Sequence, residues 1–79
     1  MVIDYREARD AIAAQKLLAR AGIIAVYIPD KMVRLSDDPA QTVWVAQRLR
    51  IPRADDARAA ALLEEYDLQG EPAGDEGSD

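Results

Sequence analysis

Thr42–Tyr66 reads TVWVAQRLRIPRADDARAAALLEEY, and this stretch decides the fold. From Thr42 to Ile51, Val43, Val45, Leu49 and Ile51 share one face, while Thr42, Trp44, Ala46, Arg48 and Arg50 share the other. Period-two alternation with β-branched residues predicts a half-buried strand. The second face carries an indole and two guanidinium groups, so that side of the sheet is expected to be wet or used. Pro52 cannot donate to a ladder and holds Ile51 extended, which ends the strand. Asp55 and Asp56 suit the exposed N–H groups of a helix start. Ala59, Leu62, Leu63 and Tyr66 come next at helical spacing and form one apolar stripe. Strand, hinge and covering helix succeed one another without a break.

Outward from this stretch, the preceding chain supplies the rest of a small sheet. Val2 and Ile3 open a short first strand, with Ile3 and Tyr5 towards the core and Val2 and Asp4 on the open side. Asp4 and Glu7 have capping-box spacing for a helix beginning near Tyr5 or Arg6. That helix is expected to reach about Ala21, with Ala11, Ala14, Leu17, Leu18 and Ala21 towards the sheet. Gly22 sits where a helix ends in the left-handed conformation. Ile23–Ile28, IIAVYI, is too short for a helix and rich in β-branched residues, so it reads as a strand. Ile24, Val26 and Ile28 are expected inward, leaving Tyr27 opposite Trp44 on the open face. Pro29–Gln41, PDKMVRLSDDPAQ, is then a long connection, in which Met32, Val33 and Leu35 either tuck under the sheet edge or extend the hairpin, or belong to a mobile loop that closes on a ligand or partner.

The order strand, helix, strand, strand, helix predicts an α+β fold of the split βαβ type, with strand three between strands one and two. A complete ferredoxin-like sheet needs a fourth strand, and Asp67–Asp79 has no alternating apolar run to supply one. The expected architecture is therefore βαββα: a three-stranded sheet with two helices on one face. It makes a single domain over residues 1–68, with a disordered acidic tail over 69–79. Strand one is expected to carry an unpaired outer edge, which burial against a second copy would manage, giving a symmetric homodimer.

Composition narrows the chemistry. A chain of 79 residues buries only about 60% of its unfolded surface. It has no cysteine and no histidine, which removes disulfides, thiolate metal sites and the commonest general base. Glu71, Asp75, Glu76 and Asp79 account for most of the formal net charge of −5, so the folded part is close to neutral. No apolar run approaches the roughly 20 residues of a membrane span and no signal-peptide pattern opens the chain, so a cytoplasmic protein is expected.

Three blocks resemble a known family: LLARAGI (Leu17–Ile23), TVWV (Thr42–Val45) and IPRADDARAAALLEEY (Ile51–Tyr66). They are similar to small bacterial proteins described as prokaryotic signal-transducing proteins, placed near the nitrogen-regulatory PII-like proteins. The resemblance implies a ferredoxin-like fold with a long loop between strands two and three that engages partner proteins. Pro29–Gln41 occupies that position. Where the family carries a Gly-rich segment, this chain has KMVRLSDDPAQ. No glycine-rich phosphate-binding motif is present, so the position of the loop is carried over and a nucleotide site is not.

An enzyme is not expected. Ser36 and Ser78 are the only serines, and the acid pairs Asp37/Asp38 and Asp55/Asp56 read as turn and cap residues. No catalytic, cofactor-binding or metal-binding set emerges. The leading expectation is a non-enzymatic regulatory module that self-associates and engages a partner protein through the 29–41 loop. Candidate contact residues are Tyr27, Lys31, Met32, Arg34, Leu35, Trp44, Arg48 and Arg50, since aromatics and arginines anchor interfaces. Two alternatives remain open at this point. One is a sensor of a nucleotide or phosphorylated metabolite held by the arginines. The other is a single-stranded RNA-binding module using Tyr27 and Trp44, against which stand the acidic composition and the missing RNA-binding signature.

Overall fold

A computed structural model describes residues 1–34 and 43–72. Its elements run β1 (Val2–Tyr5), α1 (Ala8–Arg20), β2 (Val26–Arg34), β3 (Val43–Arg50), a 3-10 turn (Arg53–Asp55), α2 (Asp56–Glu65) and β4 (Glu71–Pro72). The sheet has the order β2-β3-β1-β4, antiparallel throughout. Strand three lies between strands one and two, as the split βαβ reading requires. The strand count is corrected from three to four. Glu71 and Pro72, expected in a disordered tail, pair with Asp4 and Ile3.

One rule places the core. Ile3 and Tyr5 of β1, Leu49 of β3 and Ala25 before β2 face α1 and α2, where they meet Ala11, Ala14, Leu18, Ala59 and Leu63. The alanines of α1 let the helix lie close to the sheet, and Leu18 and Leu63 fill the space between layers. Both helices end in the same motif. At α1 the Gly22 N–H donates to Ala19 O at 3.0 Å and the Ile23 N–H to Leu18 O at 2.9 Å, with Gly22 at φ 82°. At α2 the Asp67 N–H donates to Glu64 O and the Leu68 N–H to Leu63 O, with Asp67 at φ 57°. Each is a Schellman ending, in which the residue after the left-handed position packs back on the helix.

That motif corrects the facing of β2. Ile23 comes directly after Gly22 and is drawn onto Leu18, so Ile23 and Ala25 are buried while Ile24 and Val26 are exposed. Tyr27 pairs with Leu49 on the helix side, and Trp44 pairs with Val33 on the other side. The expected Tyr27–Trp44 pair is not formed.

The start of α1 is also corrected. The helix begins at Ala8 after an N-cap Glu7 whose side chain makes no cap hydrogen bond. Asp4, expected as part of a capping box, lies in β1 and is committed across the sheet. Pro29–Arg34 continue β2, so Met32 and Val33 extend the hairpin, one of the placements open to them in the sequence, and the connection begins later than Pro29. Leu35 and the remainder of the expected loop, 36–41, lie outside the described residues, as do residues 73–79 of the tail.

Candidate interaction surface

β1 reaches only as far as the Tyr5↔Gln47 pair. Beyond Gln47 the sheet narrows to two strands, Lys31–Arg34 of β2 against Val43–Ala46 of β3. Among the described residues this arm has no third strand beside it. Met32 and Val45 are directly opposite each other in it and are 69% and 46% exposed. A two-stranded hairpin is marginal by itself in water, so an apolar cross-strand pair at this position calls for a covering layer.

The root of the arm is locked by a β-bulge. Ile28 pairs with Arg48 and Lys31 with Ala46, so Pro29 and Asp30 together oppose Gln47. Asp30 adopts φ 53°. Gln47, itself buried, fills the gap left in the ladder. Its Oε1 accepts from the Tyr27 hydroxyl at 2.6 Å and from the Asp30 N–H at 3.3 Å, and its Nε2 donates to Asp30 Oδ1 at 3.1 Å. Tyr27, expected as a free contact residue, is thereby used in the fold.

The face away from the helices is not the open surface that alternation implied. Val2, Asp4, Ala46 and Arg48 on it are all buried. Arg48, expected as a contact residue, is 2% exposed. Its Nε donates to Asp4 Oδ1 at 2.7 Å and its Nη2 to Asp4 Oδ2 at 3.0 Å, a two-pronged ion pair between adjacent strands. Trp44 is half-buried, with the Arg6 guanidinium 5.2 Å from its ring centre. Arg50 is exposed at the opposite end, beside a groove of about 360 Å³ formed with Ile24, Val26 and Arg53. Lys31 is exposed on the arm, and Arg34 is placed by its backbone as the last residue of β2. The structure thus gathers Lys31, Met32, Arg34 and Trp44 on one arm, and sets Arg48 and Arg50 apart from it.

Among the described residues no strand pairs with the outer side of β2. The unpaired edge, expected on β1, is therefore on β2, because β4 covers part of the β1 edge. Val26 and Val45, expected as core residues, are both exposed, Val26 on the face away from the helices and Val45 on the helix side of the arm. The causes differ: Ile23, packed back on Leu18 after Gly22, turns Val26 away from the helices, and β1, ending at the Tyr5↔Gln47 pair, leaves Val45 on the two-stranded arm.

Beside β4, a cleft of about 270 Å³ is lined by Tyr5, Arg6, Asp10, Asp67 and Glu71 among others. Burial pushes the Tyr5 phenol up to about 12, and Asp10 adds to the rise. The Tyr5 hydroxyl donates to the Leu68 carbonyl, which ties the end of α2 to β1. Among the described residues no group of three or more acidic side chains is placed to hold a metal ion, and no helix is long and apolar enough to cross a membrane. Comparison with family models, with curated proteins and with solved structures gives no match.

Proposed function

We propose that this protein is a non-enzymatic regulatory module that works by binding protein, and that the β2–β3 arm is its working surface. The observation that carries this reading is the Met32–Val45 pair, apolar, adjacent and exposed on strands that extend past both helices and β1. Exposed apolar clusters on a small chain are costly in water and mark contact sites. The order βαββαβ with sheet order β2-β3-β1-β4 supports a ferredoxin-like fold. On that reading the arm stands where the PII-like proteins, which the chain resembles in three blocks, carry their partner-binding loop.

The alternatives have less support. The RNA-binding reading needs Tyr27 and Trp44 to share a face, and they lie on opposite sides of the sheet. The ligand-sensing reading needs clustered arginines, and Arg48 is occupied by Asp4.

A photo-cross-linking amino acid at Val45, on β3 and not on the outer edge of β2, tests the proposal in cells. The expected result is one dominant adduct with another protein species, lost when Met32 is changed to Glu. Adducts at a control site such as Glu65 with none at Val45 would refute the arm as the binding surface.

A further inference from the structure

The outer edge of β2 carries a pattern that fits its own copy. We infer that β2 pairs antiparallel with β2 of a second copy, about a two-fold axis through the Pro29–Asp30 bulge. This inference rests on the proposal that the β2–β3 arm is a binding surface and names one occupant for its edge.

The faces of the strand decide the register. When a regular strand pairs with its own copy about a two-fold axis normal to the sheet, opposite residues must lie an even number apart in sequence. Only then do their side chains share a face. The bulge in β2 adds one residue and reverses this parity. Val26 and Ile28 face away from the helices before the bulge, and Lys31 and Val33 face the same way after it, as their partners Arg50, Arg48, Ala46 and Trp44 show. Tyr27 and Met32 both face the helix side. With the axis at the bulge, Val26 lies opposite the partner's Val33, Tyr27 opposite the partner's Met32, and Ile28 opposite the partner's Lys31. Every pair shares a face, and two of the three are apolar on both sides.

The exposure pattern agrees with this register. Val26 is 54% and Met32 69% exposed, and each meets a half-buried side chain, Val33 and Tyr27 respectively. Asp30 and Lys31 of both copies gather around the axis, two acids with two bases, so the centre is electrically balanced. Pro29, which has no N–H to offer, lies at the axis where the ladder is already interrupted by the bulge. A proline and a bulge ordinarily blunt an edge strand. Here they forbid the registers that would place either one opposite regular strand, and they leave the register centred on themselves.

The chain has no cysteine, so the register can be read directly. Val26→Cys and Val33→Cys variants are mixed in equal amounts and oxidised, and each is oxidised alone. Sedimentation velocity is run in parallel on the wild type and on Met32→Glu, an exposed position at which circular dichroism confirms the fold. The expected result is a wild-type dimer, a Met32→Glu monomer, and a disulfide-linked dimer from the mixture only. Each cysteine alone stays unlinked because a residue and its own copy are roughly 20 Å apart in this register. A wild type that stays monomeric at NMR concentrations overturns the inference, as does efficient linking by either variant alone. A monomer that still forms the Val45 adduct with another protein overturns the self-pairing and leaves the functional proposal standing. Loss of the Val45 adduct from a dimer with the 26–33 link does the reverse.

Discussion

Asp4 and Arg48 form a buried charge pair in a sheet that has few polar groups to spare. Removing one partner of such a pair strands the other, whereas replacing both with apolar residues is often neutral. Asp4→Ala is expected to cost about 3 kcal/mol, and Asp4→Ala with Arg48→Met together markedly less than the sum of the single changes. Urea denaturation of the four proteins in the cycle gives the coupling directly. A coupling near zero would mean that the pair contributes only bulk. The two residues are visible in sequence as a polar minority in strands, but alternation alone assigns them to a wet face. It is the register Asp4↔Arg48 that joins them, and register between strands distant in sequence is not written in either strand.

Tyr5 gives a second prediction at this scale. Its phenol is held protonated up to about 12 in the folded chain, with burial the larger cause and Asp10 the smaller. The unfolded chain releases that proton near pH ~10. The stabilisation is therefore complete below pH ~10 and is lost as the pH rises towards about 12. Tyr5→Phe removes the hydroxyl that donates to Leu68 O and is expected to cost about 1 kcal/mol near neutral pH. In return, its stability should fall less steeply than that of the wild type through the alkaline range. Stability curves of equal steepness for the two proteins would refute this account of the phenol.

At the scale of elements, the ends of the helices set the facing of the segments after them. Both Schellman endings are legible in part, because Gly22 announces the first. Its consequence for the next strand is available too. A residue directly after the left-handed position packs onto the helix, so Ile23 goes inward and Ala25 with it. In an unbroken apolar run such as IIAVYI, alternation gives no vote and this contact decides. The second ending places Asp67 at φ 57°, where an aspartate is tolerated and a glycine is relaxed. Asp67→Gly is expected to raise stability by about 0.5 kcal/mol, read as an increase in denaturation midpoint. A drop in midpoint would show that the Asp67 side chain has a further role.

β4 is not legible, because two residues with no alternation carry no strand signal. Its position depends on Gly70 at φ 40°. A Cβ there would lie 2.5 Å from Ile3 Cγ2 and 2.9 Å from the Asp4 carbonyl oxygen. Since the backbone cannot yield as a flexible side chain can, Gly70→Ala is expected to destabilise by about 2 kcal/mol. Amide exchange at Ile3 and Asp4 should accelerate more than at Ala11 or Leu18. Uniform acceleration would mean that β4 is not a local clamp.

For the molecule as a whole, α+β class, helix number and the central place of β3 can be read from element order and periodicity. The proposed working surface cannot. Alternation points to an aromatic face of the sheet, and the structure offers instead an arm and an edge exposed by two short elements. β1 stops at Tyr5, and the Pro29–Asp30 bulge carries β2 past it. A chain this small gains much of its stability from whatever covers its remaining apolar surface. On the pairing inferred above that surface is the outer edge of β2, and amide hydrogen exchange measured over a range of protein concentrations tests it most directly. Protection of the outward-facing β2 amides between Val26 and Val33 should rise with concentration while that of β1 stays level. Equal, fast exchange of those amides at every concentration, with association detected by mass, would place the contact elsewhere and contradict the account.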